Sequence, residues 1–294
     1  MKIQDYLDNK RKIIDKVLLK YLPRPKGPSG ELAEAMRYSV LAGGKRIRPV
    51  IILAISDMLG MSYNKVLPTA CAVEYIHTST LILDDLPCMD NSYLRRGAAS
   101  VHKKFGESTA ILASYSLVVL AFELLVENAT KVLNDPKLIS VVTKEVSKGV
   151  GYDGVCAGQY LDLKAGSRKI DIGALTCLHE HKTADLFVVC CKIAGRLSGA
   201  DQRQLKALQN YGRYLGLAFQ AYDDMLSIRH NDRQLGKETN RDKHSPNIVN
   251  LFGIKRTGRL LDVYAKTAQS NLATFGPKAK ILEGILEYVI RREK

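Results

Sequence analysis

Three carboxylates lie in one short segment of the chain, LILDDLPCMDNSYLRRG, at Asp84, Asp85 and Asp90. Like charges held this close together are costly without a counter-ion. Because no His or Cys stands between them, the segment indicates a hard cation, and Mg²⁺ is the usual one where phosphates share the site. Arg95 and Arg96 follow, with planar, permanently charged forks that suit phosphate oxygens. The segment therefore predicts magnesium and phosphate chemistry, against the alternative of a solvated acidic helix end followed by a basic loop.

Local geometry decides whether these carboxylates can meet. On one straight helix Asp84 and Asp90 would point about 120° apart, because each residue turns the helix by roughly 100°. Pro87 disfavours the helical conformation at Leu86 and removes a backbone donor, so the helix should end near Asp85. The turn that follows can then bring Asp90 back beside Asp84.

A second acidic pair, Asp223 and Asp224, lies near the end of another apolar run, LGLAFQAYDDMLSIRHND. A basic loop containing Lys237 follows it. Two such pairs could face each other across a helical bundle, because bundle-core sites are built from side chains on facing helices. One cavity would then hold a metal-bound pyrophosphate.

A third group of polar residues precedes the first acidic segment. Lys45 and Arg48 lie in LAGGKRIRPV, and His77 lies two turns before Asp84. These residues would hold a second pyrophosphate through cations alone. Taken singly, His77 would more often be a helix histidine with its hydrogen bonds satisfied, and Arg48 an ordinary helix-start residue.

Helices must position these residues, because the apolar pattern along the chain has a period near 3.6 and alternating runs are scarce. Ser29 is the candidate N-cap of the first predicted helix and Gly43 its stop. No repeat and no low-complexity linker interrupts the chain, so one all-α domain over residues 1–294 is expected. The predicted helices cover 31–44, 47–60, 66–85, 108–131, 136–165, 172–198, 202–229, 256–273 and 277–293.

The composition limits the class of partner and compartment. The chain has 294 residues, is 46% hydrophobic and carries a net charge of +14, so an anionic partner is expected. Nucleic acid fits poorly, because Trp is absent, aromatics are 7% and the basic residues are scattered. The cysteines form no C-x-x-C pair, which favours a reducing compartment. With neither a signal-like N-terminus nor an apolar stretch of membrane-span length apparent, we expect a cytoplasmic protein without stable membrane insertion.

Several motifs occur in order along the chain: GGKRxRP, DDLPCMDNxxLRRG, HKTA, and FQxYDD followed by LGK. Together they resemble the trans-type short-chain polyprenyl diphosphate synthases, most closely the geranylgeranyl and bacterial-type farnesyl branch. The resemblance runs from about residue 30 to the C-terminal EYVIRREK. It implies an all-α isoprenoid synthase helical bundle with a central active-site cavity, usually a homodimer. The implied substrates are isopentenyl diphosphate and allylic diphosphates.

The resemblance also implies a role for each matching residue. Asp84 and Asp90, supported by Asp85, would bind Mg²⁺ on the allylic diphosphate, and Asp223 would hold a third Mg²⁺. The isopentenyl diphosphate pocket would consist of Lys45, Arg48, His77 and Arg96. The residues that contact the allylic diphosphate or its leaving group would be Arg95, Lys182, Thr183, Gln220 and Lys237. Without the motif order, Lys182 and Thr183 would attract no notice, and Gln220 could simply complete a buried polar network.

The chain departs from the family pattern in a few places. Ser227 stands where the second motif, DDxxD, has its last acid, and the loop after it looks short. Leu83 replaces a common His, and Ser114 and Tyr115 replace Gly and Asp. Losing a group that supports a metal ligand typically costs about 10–100-fold in affinity or activity. An active enzyme and a weakly active or regulatory subunit of a hetero-oligomer both remain open. A terpene cyclase fits poorly, because it would not need the second diphosphate pocket.

Product length is partly readable from the first acidic helix. Thr80 and Ser79 lie four and five residues before Asp84, so their side chains should face the growing isoprenoid tail. In the bacterial farnesyl branch an aromatic residue commonly blocks the pocket there. Both residues are small here, so we expect geranylgeranyl diphosphate (C20) over farnesyl diphosphate (C15). Residues deeper in the tunnel, around Leu117 and Phe122, could overrule this.

Overall fold

A computed structural model of the chain describes residues 2–166, 170–229 and 247–291. The all-α prediction is confirmed, because most described residues lie in helices and the described strands are two short ones. Lys237 lies outside the described residues. The helices are α1 (Ile3–Tyr21), α2 (Gly30–Leu41), α3 (Ile47–Met58), α4 (Leu67–Asp84), α5 (Val101–Phe105), α6 (Glu107–Leu133), α7 (Pro136–Val150), α8 (Val155–Ala165), α9 (Ile172–His179), α10 (Asp185–Leu197), α11 (Gln202–Arg229), α12 (Ile248–Leu272) and α13 (Lys280–Arg291).

Two helices were not predicted. In α1 the fully buried side chains are only Ile14 and Leu18, with Leu7 nearly so, and charged residues fill most of the remaining surface. Its apolar stripe is therefore too narrow to stand out in the sequence. The short helix α5 lies in a stretch that the pattern assigns to a loop. Ser29 precedes α2 but its side chain makes no capping hydrogen bond, whereas Gly43, at φ 86°, follows the end of α2 as predicted.

One predicted helix, over 136–165, is two helices in the structure. A turn at 151–154 separates α7 from α8, and the Gly154 amide donates to the Gly151 carbonyl at 3.1 Å. A Cβ at Gly154 would overlap the carbonyl of Gly149, so this reversal requires glycine. The apolar period continues through the turn, which is why periodicity alone does not reveal it.

Three other boundaries also differ. The predicted helix over 172–198 contains a π-helical turn, Glu180–Ala184, between α9 and α10. The predicted 256–273 helix begins earlier, at Ile248, with a kink at Gly253. The last predicted helix begins later, because residues Ala273–Ala279 form a 3₁₀ segment before α13.

Helices α4 and α10 lie at the centre of the core, and other helices pack against them on several sides. Helix α4 packs against α1, α3 and α6, and every residue from Leu67 to Ile76 except Pro68 is buried. Helix α10 packs against α3, α7 and α11, and α11 in turn packs against α12. A helix that is apolar all round belongs in a protein interior. The polar residues at the ends of these helices therefore meet inside the bundle.

Helix α6 corrects one expectation. Residues Glu107–Val132 are long and apolar enough to cross a membrane by length and composition, although no apolar stretch of that length was expected. One side of α6, including Ala113, Leu117 and Leu125, is buried against the bundle. Another side is exposed and apolar, and it carries Ile111, Leu112, Tyr115, Val119 and Val126. Burial of one side in the core accounts for part of this apolar content.

Candidate active site

The first acidic segment forms a compact turn at the end of α4. The helix ends at Asp84, as the position of Pro87 predicts. The backbone N–H of Asp90 donates to the carbonyl of Asp84 at 2.9 Å, so the two residues lie side by side. The amide of Asn91 donates to the carbonyl of Leu86 at 2.9 Å and closes the turn.

The middle carboxylate of this segment, Asp85, is held by an arginine. Asp85 is 2% exposed and accepts from Nε of Arg95 at 3.0 Å, with a second, closer bond from Nη2. Arg95 ends β1 (Leu94–Arg95), which pairs with β2 (Ala98–Ala99) in an antiparallel hairpin. Arg96 and Gly97 form its turn with positive φ, the geometry of a two-residue hairpin loop. Burial raises the pKa of Asp85 even though Arg95 opposes the change.

Asp84 interacts electrostatically with Lys182, a residue from a distant part of the chain. Burial raises the pKa of Asp84 to about 6, with Lys182 opposing the rise and Asp90 adding to it. Burial also disfavours the charged form of Lys182, yet Asp162, Asp84 and Asp90 together raise its pKa. The structure therefore brings Lys182 to the first acidic segment, although nearly a hundred residues separate them.

Lys182 and Thr183 lie in the π-helical turn between α9 and α10. Such turns occur often at functional sites. Two glycines let neighbouring helices approach it, because a Cβ at Gly158 of α8 would overlap the backbone of Lys182, and one at Gly216 of α11 would overlap Ala184. Each glycine lies one helical turn before the residue that contacts the π turn.

Those contacts connect three elements. From α8, Asp162 forms an ion pair with Lys182. From α11, Gln220 accepts a hydrogen bond from Thr183 Oγ1 at 2.7 Å and donates to Asp224 Oδ1 at 2.8 Å. Lys182 therefore lies between the first acidic segment and the helix that carries the second.

The second acidic segment is built differently from the first, because α11 continues through it to Arg229. Asp224 is 6% exposed, and its Oδ2 accepts from the backbone N–H of Ile248 at 2.9 Å, at the start of α12. His179 Nε2 lies 3.8 Å from the same oxygen, and burial lowers the pKa of this histidine to about 4. Asp223 is half-buried and lies three residues after Gln220, so it shares that face of α11.

Ser227 is bonded into the same junction. Its Oγ donates to the Asp224 carbonyl at 2.9 Å and accepts from Asn247 Nδ2 at 3.4 Å. Asn247 in turn caps α12, accepting from the amides of Val249 at 2.7 Å and Asn250 at 3.4 Å. Where the family pattern has an acid, this chain has a neutral link between α11 and α12.

The cations of the GGKRIRP segment gather around His77. Arg48 Nη1 lies 3.4 Å from His77 Nε2, and its guanidinium carbon lies 4.5 Å from the centre of the Phe187 ring. Burial, together with Arg48 and other arginines, holds the pKa of His77 well below its usual range, so the ring is neutral at physiological pH. Arg96 donates to the carbonyl of Gly43, and Gly44 leaves room for its guanidinium.

The two residues expected to face the isoprenoid tail differ in their surroundings. Ser79 is 2% exposed, and its carbonyl accepts from Ser114 Oγ on α6 at 3.0 Å. Thr80 is half-buried, and its hydroxyl donates to the His77 carbonyl at 2.8 Å. Thr80 is therefore partly accessible, whereas Ser79 is packed against α6.

Sequence reasoning did not identify some residues that support this site. Asp162 carries no signal beyond being a carboxylate on an otherwise unremarkable helix. Asn247 and the capping role of Asp224 become visible only when α11 and α12 are placed together. Arg46 lies inside the GGKRxRP motif, but nothing in the sequence marks Glu74, a polar residue on the apolar helix α4, as its partner.

The donor set suits a hard cation that shares its coordination with phosphate. Among the described residues, no group of three or more His, Cys, Asp or Glu side chains could hold a metal ion by itself. Asp84 and Asp90 offer two carboxylates, while Asp85 is engaged by Arg95. Mg²⁺ is usually bound through one or two carboxylates plus substrate phosphates instead of a complete protein cage, and these residues fit that description.

Carboxylates and cations that meet inside an all-α bundle are the site expected of the isoprenoid synthase class of transferases. The sequence matches the polyprenyl synthetase family over residues 29–271. A chloroplastic geranylgeranyl pyrophosphate synthase of Catharanthus roseus is 38% identical over 267 residues, which cover 90% of this chain and 74% of that protein. A farnesyl diphosphate synthase of Geobacillus stearothermophilus is 35% identical over 298 residues, which cover 100% of this chain and 99% of that protein.

Solved structures agree with these relatives. An FPP/GFPP synthase from Zymomonas mobilis has a TM-score of 0.89 at 31% identity and covers 98% of this chain and 99% of its own. A geranyltransferase from Helicobacter pylori, complexed with magnesium and isoprenyl diphosphate, has a TM-score of 0.85 at 30% identity over 99% of this chain and 97% of its own. The chain therefore belongs to the polyprenyl synthetase family, and it is a prenyltransferase.

Proposed function

We propose that the chain is a Mg²⁺-dependent trans-prenyltransferase, a single domain over residues 1–294, that condenses isopentenyl diphosphate with allylic diphosphates. The observation that carries the proposal is the position of Lys182, whose charge acts on Asp84 and Asp90 while its neighbour Thr183 bonds to Gln220. Relatives named geranylgeranyl and farnesyl diphosphate synthases support the same reaction.

Asp84, Asp90 and Asp223 would hold Mg²⁺, about three ions per site as the family resemblance implies. The ions supply Lewis-acid neutralisation of the charge that develops on the departing pyrophosphate. Arg95 and Lys182 bind the same pyrophosphate as fixed cations, and Lys237 is proposed to do so as well. Thr183 and Gln220 orient the leaving group through their hydrogen bond. Apolar walls exclude water from the allylic carbocation, and the departing pyrophosphate takes up the proton that is lost.

The second substrate is proposed to bind through cations without metal. Lys45, Arg48 and Arg96 are cationic side chains that suit diphosphate oxygens. His77 is held neutral by its surroundings, so it contributes a hydrogen bond instead of a charge. This arrangement holds the isopentenyl double bond near the carbocation, which is what a near-attack geometry requires.

We propose geranylgeranyl diphosphate (C20) as the main product, because Thr80 is small and only half-buried. The test is incubation with Mg²⁺, isopentenyl diphosphate and the C5, C10 or C15 allylic diphosphate, with products sized by mass. Extension that stops at C20 supports the proposal, and Thr80→Phe should shorten the product to C15. If a folded protein binds diphosphate but extends no substrate, the proposed enzymatic activity is contradicted.

A homodimer is proposed on the exposed apolar side of α6, the face that carries Tyr115 and Val119. Contiguous apolar surface of this kind marks protein interfaces. Val119→Glu should convert a dimer to a monomer, as measured by light scattering. A variant that stays dimeric contradicts this use of α6. The protein is further proposed to be cytoplasmic, without stable membrane insertion and without nucleic acid as a partner.

Two alternatives are kept. One is a farnesyl diphosphate (C15) synthase, which the product assay distinguishes directly. The other is a weakly active or regulatory subunit of a hetero-oligomeric prenyl synthase, favoured by Ser227 and by Tyr115, which is 69% exposed on α6. The subunit would be favoured if the purified protein by itself has low turnover, and if mixing it with a homologue that has an intact second motif changes the product length.

A further inference from the structure

Arg46, in the middle of the GGKRIRP segment, is held in an uncommon conformation. Its φ is 51° and its ψ 34°, the left-handed region that non-glycine residues rarely adopt. Gly43 and Gly44 just before it also have positive φ, at 86° and 135°. A turn with this backbone persists only where surrounding contacts over-determine it.

Those contacts come from three different helices, and the side chain of Arg46 is 1% exposed. Its Nε donates to Asp15 Oδ1 on α1 at 2.8 Å. Its Nη1 donates to Glu74 Oε1 on α4 at 2.7 Å, and its Nη2 donates to the carbonyl of Val40 on α2 at 2.6 Å. The whole guanidinium fork is therefore used, which a lysine ammonium could not reproduce.

The ion pair with Glu74 sets the position of the turn along α4. Glu74 and His77 are three residues apart and share a face of that helix. Arg46 and Arg48 stand in the same order on the turn, so the pair Arg46–Glu74 lies beside the pair Arg48–His77. The carbonyl of Gly43, in the same turn, accepts from Arg96.

Charge balance points the same way. Glu74 is 1% exposed and is a buried anion beside a group of cations. Together with Asp15 it neutralises Arg46, whereas Lys45, Arg48 and Arg96 are the cations proposed to bind the diphosphate. Arg46 itself is buried among its three partners and is not exposed to a substrate.

We infer that Arg46 is a positioning residue for the isopentenyl diphosphate pocket, acting through its buried pair with Glu74 to hold Lys45 and Arg48 in register with His77. The inference rests on the proposed function, because it assigns this pocket to isopentenyl diphosphate. It adds a residue that touches no substrate and that determines the affinity of one substrate only.

The test is calorimetric binding of isopentenyl diphosphate in EDTA, together with KM values for both substrates, on Arg46→Met, Glu74→Met and the double variant. Arg46→Met leaves Glu74 buried without its cation, and Glu74→Met leaves Arg46 with Asp15 as its remaining carboxylate, so each single variant should lower Tm. The double variant removes both charges, and such replacement is often neutral for stability. Its Tm should therefore recover, while Kd for isopentenyl diphosphate rises by about tenfold or more because the ligands are misplaced. The KM for the allylic diphosphate should change by less than about twofold.

Lys10→Met is the matched control, because Lys10 pairs with Asp57 at 2.9 Å and links α1 to α3 away from the pocket. It should lower Tm and leave both affinities unchanged. Arg46→Lys should fall between wild type and the double variant, and it serves as the second test if the Met variants do not fold. Unchanged binding in the double variant, or equal weakening of both substrates, overturns the inference alone. A folded wild-type protein that binds no isopentenyl diphosphate overturns the proposed function and the inference together.

Discussion

The two acidic segments both bury the second carboxylate of the pair, but different groups hold it in each. In each pair the second residue is buried and engaged by the protein: Asp85 by Arg95, and Asp224 by the amides of Ile248 and Gln220. The first residue of each pair, Asp84 or Asp223, is half-buried and lies on the face toward Lys182 or Gln220. Sequence alone presents two similar DD pairs, whereas the structure separates a proposed metal ligand from a structural support in each.

The supports differ because the helices end differently. Pro87 ends α4 at the first pair, so the chain folds back and brings its own Arg95 to Asp85. Helix α11 continues past the second pair, so Asp224 must find its partner on α12 instead. The first segment is therefore a local structure held by a permanent cation, and the second depends on the packing of another helix.

The largest expected effect comes from neutralising the proposed metal ligand of each pair. Asp84→Asn should lower kcat/KM by about 10³-fold and Asp223→Asn by about 10²-fold, because Asp84 is proposed to hold Mg²⁺ together with Asp90, whereas Asp223 is proposed to hold a separate ion. Steady-state kinetics at saturating Mg²⁺ measure both. Equal losses would mean that the two segments contribute alike.

Removing the supporting carboxylates tests their different partners. Asp85→Ala strands the partly buried guanidinium of Arg95 and should cost roughly 2 kcal/mol of unfolding free energy, whereas Asp224→Ala loses a helix cap worth about 1 kcal/mol. Denaturant titration measures both. High salt should shrink only the first difference, because it screens charges. An equal response to salt would contradict the assignment of a cation to one support and neutral donors to the other.

The raised pKa of Asp84 should make the stability of the protein depend on pH. In the folded, metal-free protein Asp84 has a pKa of about 6, against an ordinary value near 4. Its charged form therefore destabilises the fold above pH 6, and that penalty disappears as the pH falls from 6 toward 4. Relative to Asp84→Asn, the wild type in EDTA should gain on the order of 1 kcal/mol between pH 7 and pH 5. Thermal unfolding across this range checks it, and a flat difference would be the contrary result.

The smallest effect is expected at the position where the second segment lacks its last acid. Ser227→Asp should lower the Mg²⁺ concentration for half-maximal activity by only about threefold, because the N-terminus of α12 would attract the new carboxylate. Ser227→Ala should leave the metal dependence unchanged and loosen the link to Asn247. A gain of a hundredfold or more on adding the acid would show instead that Ser227 impairs the metal site.

Several features of the site are predictable from the sequence because they are local. The stop of α4 near Asp85 and the return of Asp90 follow from Pro87, whose ring acts on its immediate neighbours. Periodicity places α3, α4 and α6 within about two residues of their ends. The split of 136–165 and the π turn at Lys182 are not predictable in this way, because the apolar period runs on through both. The early start of α12 is not predicted because the helix is kinked at Gly253.

The all-α class and the family can be read from the sequence. So can the carboxylates and cations that could bind metal and diphosphate, because residue type and spacing carry that information. The partners that hold Asp85 and Asp224, and the bonds of Arg46 to Glu74, Asp15 and Val40, are visible only in the folded structure. Most of these partners come from helices far apart in the chain. The close approaches at Gly158 and Gly216 that bring Asp162 and Gln220 to the π turn are set by packing, which no local pattern records.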